Sequence, residues 1–210
     1  MRIGLLGTGK WGKHYARLIP EYGELVIMNR KIDPTVDCVV IATPSDTHFK
    51  YIKEALKANK HVLVEKPMVL SLKEAMEVKK LLRDKVFMVA HQYCYNDEVR
   101  KQRPLERISL THSNSAGRNF FWEIAPHLFS VVDLLDFKGK VELKLINTPE
   151  KIREWMFDNN KLEEPKTEPL RNELEHFIDC VKNSKTPLTD IEHALRVITN
   201  MEKYEIQHTM

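Results

Sequence analysis

Five short apolar runs, RIGLL, LVIM, CVVIAT, HVLVE and VFMVA, punctuate the first half of the chain, and they do not alternate with polar residues. Strands buried on both faces of a parallel sheet read this way, because neither face meets water. Helical patterns lie between them. Ser45 is placed to cap a segment carrying Phe49, Ile52, Ala55 and Leu56 on one face and ending near Asn59. Ser71 and Glu74 form a capping-box signature ahead of Leu72, Ala75, Val78 and Leu82. Such alternation predicts an α/β fold built on an open sheet with right-handed crossovers. One link is short: between LVIM and CVVIAT only NRKIDPTVD is available, less than the roughly dozen residues a crossover helix needs. The first domain is therefore expected to be trimmed.

After Pro104 the pattern changes. ERISLTHSN and VELKLIN read with period two, as half-exposed strands rather than buried parallel ones. A helix is expected between them, from about Trp122 to Leu135. Leu170, Leu174, Phe177, Ile178 and Val181 mark an amphipathic helix, and Thr189 with Glu192 opens a last one through Ile191, Ala194, Leu195 and Ile198. The segment EEPKTEP before the penultimate helix reads as a loop. These signals divide the chain near Arg103-Pro104, into residues 1–103 and a small α+β domain, residues 104–210, with an open, mostly antiparallel sheet.

Composition narrows the function classes. A formal net charge of +3 over 210 residues is too small to argue for nucleic acid or a membrane surface. MRIGLLG enters a strand directly and no apolar run approaches the roughly 20 residues of a bilayer span. Cys38, Cys94 and Cys180 are isolated and odd in number, so a reducing cytoplasm is expected. His112, His176, His193 and His208 share no spacing that would hold a metal.

Gly7-x-Gly9-x-x-Gly12 follows a strand and leads into a helical pattern, with Lys10 and Trp11 inside the motif. This context predicts a truncated dinucleotide-binding Rossmann domain. The first glycine permits a tight turn, the second lets a pyrophosphate approach the backbone, and the third lets helix and strand pack closely. A strand-to-helix turn with spare glycines is the plain alternative. NAD binders place a carboxylate about 20 residues on, at the end of the second strand. Here that place reads Met28-Asn29-Arg30-Lys31. Asn29 and Arg30 suit a 2′-phosphate, so NADP is expected over NAD; a solvated basic turn is the alternative.

Together with the glycine loop, Ala42-Thr43-Pro44-Ser45 with His48, then Glu65-Lys66-Pro67, then Trp122-Glu123-Ile124-Ala125-Pro126-His127 and the ending PLRNELEHFIDCVKN…TPLTDIEHALRVI resemble the Gfo/Idh/MocA oxidoreductases. The resemblance runs in order along nearly the whole chain. It implies a Rossmann domain joined to an α+β domain whose open sheet forms a substrate floor and often an oligomer interface. Hydride transfer between a nicotinamide and a hydroxyl-bearing carbon of a sugar, cyclitol or nucleotide sugar is implied with it. By match of motif, Lys66 is the catalytic lysine and His127 its acid/base companion, while Thr43, Pro44, His48 and Glu65 line the nicotinamide half of the cofactor site. The form of Trp122 to Ser130 resembles the nucleotide-sugar branch, with Ser130 where many inositol and glucose dehydrogenases have aspartate.

The residue types suit that chemistry. A lysine at the carboxyl end of a sheet strand points at the ligand crevice, and it can take the hydroxyl proton as a hydride leaves. Its plain alternative is a surface lysine. Glu123 stands four residues before His127 in a predicted helix and can orient the imidazole, or be a simple helix ion pair. His91 follows the fifth strand and reaches toward the cofactor, or is structural. Arg118 and Asn119 are candidates for substrate contacts, or a bland loop. The reading from a different class is a cofactor-binding regulatory or scaffold protein of the same fold without turnover.

Overall fold

The computed structural model describes residues 1–114, 120–148 and 150–208. Its elements in chain order are β1 (Arg2–Leu6), α1 (Gly12–Leu18), β2 (Glu24–Met28), β3 (Cys38–Ile41), α2 (His48–Lys57), β4 (His61–Glu65), α3 (Leu72–Leu81), β5 (Phe87–Ala90) and α4 (Asp97–Lys101). There follow β6 (Arg107–Asn114), α5 (Phe120–Leu134), β7 (Lys140–Asn147), β8 (Arg153–Phe157), β9 (Asn160–Lys161), α6 (Pro169–Asn183) and α7 (Ile191–His208). Two compact units emerge, residues 1–90 with 171–195, and residues 91–170 with 196–210. The chain passes between them three times, after residues 90, 170 and 195, where a single division near Arg103-Pro104 was expected. Helical periodicity marks an apolar stripe but not the partner that will cover it.

In the first unit all five strands are parallel, in the order β2-β1-β3-β4-β5. The chain leaves β1 for β2 on one side and returns past β1 to β3 on the other. That reversal opens a crevice at the carboxyl ends of β1 and β3. β3 and β5 are buried throughout, as their unbroken apolar runs require. β2 buries only Met28 and leaves Ile27 53% exposed. Residues 29–37 link β2 to β3 without a helix, so the layer that would cover β2 is missing.

Local signals differ from expectation at two helix starts. Ser71 caps α3, its Oγ accepting from Glu74 N at 3.2 Å. Ser45 instead opens a 3-10 turn, and α2 begins at His48 behind Thr47. Thr47 does not cap α2, because its hydroxyl lies within hydrogen-bonding distance of the Pro44 carbonyl and Thr43 Oγ1. At α7 the cap is Asp190, which accepts from His193 N at 2.9 Å, rather than Thr189. Thr189 is drawn away by β5: it accepts from Val89 N at 2.9 Å and its hydroxyl donates to Val89 O at 2.7 Å. Edge strand β5 thus has a backbone N–H and carbonyl satisfied by a residue distant in sequence. Replacing Asp190 by alanine should lower stability by about 1 kcal/mol, read as a shift of the urea midpoint.

The second unit holds a four-stranded sheet in the order β7-β6-β8-β9. β6 pairs with β8 and β8 with β9 in antiparallel fashion, but β6 and β7 run parallel in full register, from Arg107 opposite Lys140 to Asn114 opposite Asn147. The sheet is therefore mixed. Period two reported one-sided burial of these strands and not their direction, which α5 sets by crossing between them. Ile124, Leu128, Val131 and Val132 of α5 pack with Ile108, Leu110, Trp155 and Phe157 of the sheet. On another side Ala125 and Phe129 meet Val197 and Met201 of α7. A helix apolar around most of its girth is buried on most sides.

Candidate active site

The glycine loop joins β1 to α1. Gly7 has φ +91, and a Cβ there would lie 2.5 Å from the Ala42 carbonyl oxygen; one on Gly12 would lie 1.9 Å from Gly7 O. Both glycines are demanded by backbone packing against backbone. Gly9 differs, since a Cβ there would meet nothing within 4 Å. No packing excludes a side chain at Gly9, so its openness is space above the loop into which a ligand can come close. The residues present thus fit a dinucleotide at this crevice. Lys10 is exposed, and Trp11 lies tilted beside His14 with ring centroids 5.8 Å apart. Asn29 and Arg30 are exposed at the end of β2, with Arg30 at φ 59.

The loop after β3 and the Glu65-Lys66-Pro67 turn after β4 are tied together by His48. Its ring is 1% exposed; Nδ1 lies 2.8 Å from Pro67 O and Nε2 2.9 Å from Thr43 O. Burial lowers its pKa, against the pull of both carbonyls, so the neutral ring donates to one carbonyl at a time. With both nitrogens so engaged, His48 acts as a bolt between two loops rather than as a contact offered to a ligand. Lys66 is half-buried, and the Lys66–Pro67 bond that follows it is cis.

Glu65 is buried. Its Oε1 accepts from Tyr15 at 3.0 Å and its Oε2 from the Lys66 N–H at 3.2 Å. Burial pushes its carboxyl up to about 7, opposed by the Lys66 charge. Its carboxyl oxygens are therefore engaged within the protein. Thr43 Oγ1 lies 2.7 Å from Thr47 Oγ1.

In the second unit His127 is buried in α5, its ring meeting Tyr93 edge-on at 5.2 Å between centroids. Glu123 is exposed one helical turn earlier, and His91 is buried. Ser130 is wholly buried and donates back to the His127 carbonyl at 3.0 Å, a bond within the helix. Arg118 and Asn119 lie outside the described residues.

Tyr93 also leans on Trp155 at 4.9 Å. The two rings form part of the wall of a cleft of about 400 Å³, with Asn96, Lys151, Arg153, Lys161, Glu163 and Glu164 around it. The indole Nε1 of Trp155 is buried and finds no acceptor among the described residues. Sequence reasoning passed over Trp155, Tyr15 and Glu173. Trp155 and Phe157 alternate with Glu154 and Met156 in a run of five residues, a weak strand signal. Glu173 sits between Leu170 and Leu174 next to the apolar stripe of α6, and a carboxylate there is the signal that was available.

Comparison with known proteins bears on this arrangement. Residues 19–93 match the Gfo/Idh/MocA family model, described as an oxidoreductase family with an NAD-binding Rossmann fold. The uncharacterized oxidoreductase YdgJ of Escherichia coli strain K12 is 30% identical over 120 residues, 46% of this chain and 35% of the relative. The chain thus spans about a third of that relative's length. Among solved structures, the dehydrogenase MviM of Clostridium difficile superposes with a TM-score of 0.80 at 14% identity, covering 99% of each chain. UDP-N-acetylglucosamine 3-dehydrogenase GnnA of Acidithiobacillus ferrooxidans gives 0.76 at 16% identity, over 98% of this chain and 97% of that one. At these identities the superpositions establish the fold. No helix among the described residues is long and apolar enough to cross a membrane.

Proposed function

We propose that this chain, whose residues 19–93 match the Gfo/Idh/MocA oxidoreductase family model and which shares its fold with solved dehydrogenases, interconverts a secondary alcohol and a ketone on a sugar or nucleotide sugar. The bound nicotinamide, when present, supplies the hydride acceptor or donor. The protein's own residues do the rest. The open backbone at Gly9 admits the pyrophosphate, and Asn29 with Arg30 receives the adenosine ribose and its 2′-phosphate, which makes NADP the preferred form. Lys66 takes the hydroxyl proton in oxidation and returns it in reduction, with His127 as its acid/base companion.

The cleft beside Tyr93 and Trp155 is assigned to the sugar. Its aromatic walls suit the apolar face of a pyranose, and its mixed cations, carboxylates and amide suit hydroxyls. The buried Trp155 N–H calls for an acceptor of the kind a sugar hydroxyl offers. Resemblance to GnnA, a nucleotide-sugar dehydrogenase by its name, supports a substrate of that class. Subunits joined through the second unit's sheet are part of the same proposal, and light scattering of the purified chain tests it.

One observation carries the reading: at the crevice between β1 and β3, Gly7 and Gly12 are locked by backbone while Gly9 stands open. Titration of the purified chain with NADPH and NADH, followed by nicotinamide fluorescence, tests it. Binding of either supports the cofactor site. No binding to folded protein would overturn it and favour a scaffold role, a second reading that the helix-free link at residues 29–37 supports.

Arg30→Ala should weaken NADPH by about 10- to 100-fold, the loss of one charge-assisted hydrogen bond of about 1.5–3 kcal/mol, and leave NADH far less affected. Equal losses for both would remove the assignment of Arg30 to a 2′-phosphate.

A further inference from the structure

Glu173 is a residue that the proposed chemistry leaves unexplained. It is 0% exposed on α6, beside the apolar Leu174 and Phe177. Its Oε1 lies 3.2 Å from Tyr15 Oη, and its Oε2 has no partner among the described residues. Tyr15, on α1, is likewise 0% exposed. Its hydroxyl also lies 3.0 Å from Glu65 Oε1, and Glu65 Oε2 accepts the Lys66 N–H. A chain of contacts therefore runs from α6 through α1 to the lysine turn.

Counting protons gives the chain a direction. A phenol has one proton to donate, yet this one faces two carboxyl groups. With both ionised, one carboxylate oxygen would meet only a lone pair, and two uncompensated anions would share a dry interior. With Glu173 protonated, its acid O–H donates to Tyr15 Oη, Tyr15 donates to Glu65, and Glu65 remains ionised beside the Lys66 ammonium. The unpartnered Oε2 is then the carbonyl oxygen of a neutral acid, which is a smaller penalty than a bare carboxylate. Burial raises the Glu173 carboxyl well above its ordinary range, and the nearby Glu65 adds to this. Tyr15 is raised too, first by burial and then by the two carboxyls, so its hydroxyl keeps the proton it donates. The Lys66 charge favours ionisation of Glu65, and among the described residues no cation does the same for Glu173.

We propose that Glu173, Tyr15 and Glu65 share one carboxyl proton that resides on Glu173, leaving a single negative charge on Glu65 beside Lys66. Glu173 and Tyr15 are then positioning residues for Lys66. This second statement rests on the catalytic reading of Lys66; the proton assignment does not.

Infrared difference spectroscopy of the full chain at about pH 8.5, where exposed carboxyls are ionised and Glu65, pushed up to about 7, is ionised as well, tests the assignment without any substrate. A neutral-acid carbonyl band is expected in the wild type. Glu173→Gln should remove it, and Glu65→Gln should leave it. Absence of the band, or its loss only in Glu65→Gln, overturns the assignment. Should Glu173→Gln fail to fold by circular dichroism, Tyr15→Phe decides: removal of the hydroxyl that accepts from the acid should shift the band, and an unmoved band overturns the chain of bonds.

Stability gives a second readout. A carboxyl with a raised folded-state pKa binds in the folded state a proton that the unfolded chain has released. Its contribution is fully present below the ordinary carboxyl range and is lost as pH rises toward the folded-state value. The urea midpoint of the wild type should therefore fall more between about pH 5 and 8 than that of Glu173→Gln. Equal slopes overturn the assignment. For the positioning role, the pH dependence of turnover should shift in Glu173→Leu and shift less in Glu173→Gln; superimposable profiles overturn that role. Wild-type protein without turnover would instead count against the reading of Lys66, and the infrared result would stand apart from it.

Discussion

Replacing Lys66 with alanine is expected to lower turnover by about 10²- to 10⁴-fold, the range for loss of a positioned general acid or base, while NADPH binding stays nearly unchanged. The prediction follows from position and chemistry together. Lys66 directly follows β4, at the carboxyl end of a parallel strand, in a turn held by the His48 contacts to Thr43 and Pro67. Truncation to alanine removes the ammonium without touching those contacts. Lys66→Arg should be nearly as inactive, because a guanidinium keeps the charge but does not give up its proton. Steady-state kinetics with a panel of sugars and nucleotide sugars, beside the fluorescence titration, separates the possibilities. Turnover retained in Lys66→Ala would sink the assigned role, and loss of cofactor binding with turnover would make Lys66 a binding residue.

The second large effect contrasts two glycines of one loop. Gly12→Ala places a methyl 1.9 Å from the Gly7 carbonyl oxygen, a backbone atom that cannot rotate away. Destabilisation of about 1–3 kcal/mol or more is expected from such overpacking, and cofactor binding should be lost with it. Gly9→Ala meets no protein atom. Its stability should be unchanged or higher by up to about 1 kcal/mol, since alanine restricts the unfolded chain. Yet NADPH affinity should fall about 10-fold or more, the effect of about 1.4 kcal/mol of steric interference, if the open space is where the pyrophosphate sits. Thermal melts and fluorescence titrations of both variants provide the check. Unaltered affinity in Gly9→Ala would move the cofactor elsewhere.

Much of the first unit was legible in the chain itself. Five unbroken apolar runs became five parallel strands, and three glycines close together announced a turn where backbone meets backbone. Short-range chemistry carries such information: a strand buried on both faces has no polar position to show, and a left-handed turn has few residues to choose from. Capping was read correctly at Ser71 and missed at Asp190, where Thr189 offered the same local signature. The difference lay in Val89, a residue 100 positions earlier whose backbone captured the threonine hydroxyl.

The candidate site divides in the same way. Lys66 and the glycines stood out by residue type and order. Glu65 and His48 were picked out by the same motifs, but their side chains turn inward, one to Tyr15 and the other to two carbonyls. Motif order names the residues near a crevice and is silent on which atoms face it. The cleft beside Trp155 was not legible, because its walls come from separate segments with no common spacing.

By itself the sequence determined the parallel α/β unit, its trimmed link and the glycine turn, because strand burial, helix length and backbone handedness are settled within a few residues. Tertiary structure alone decided that β6 and β7 run parallel, that residues 171–195 join the first unit, and that Glu173 meets Tyr15 and Glu65. Those outcomes depend on which distant surfaces bury one another, and a carboxyl group in a helix carries no sign of its partner until the fold removes water from both.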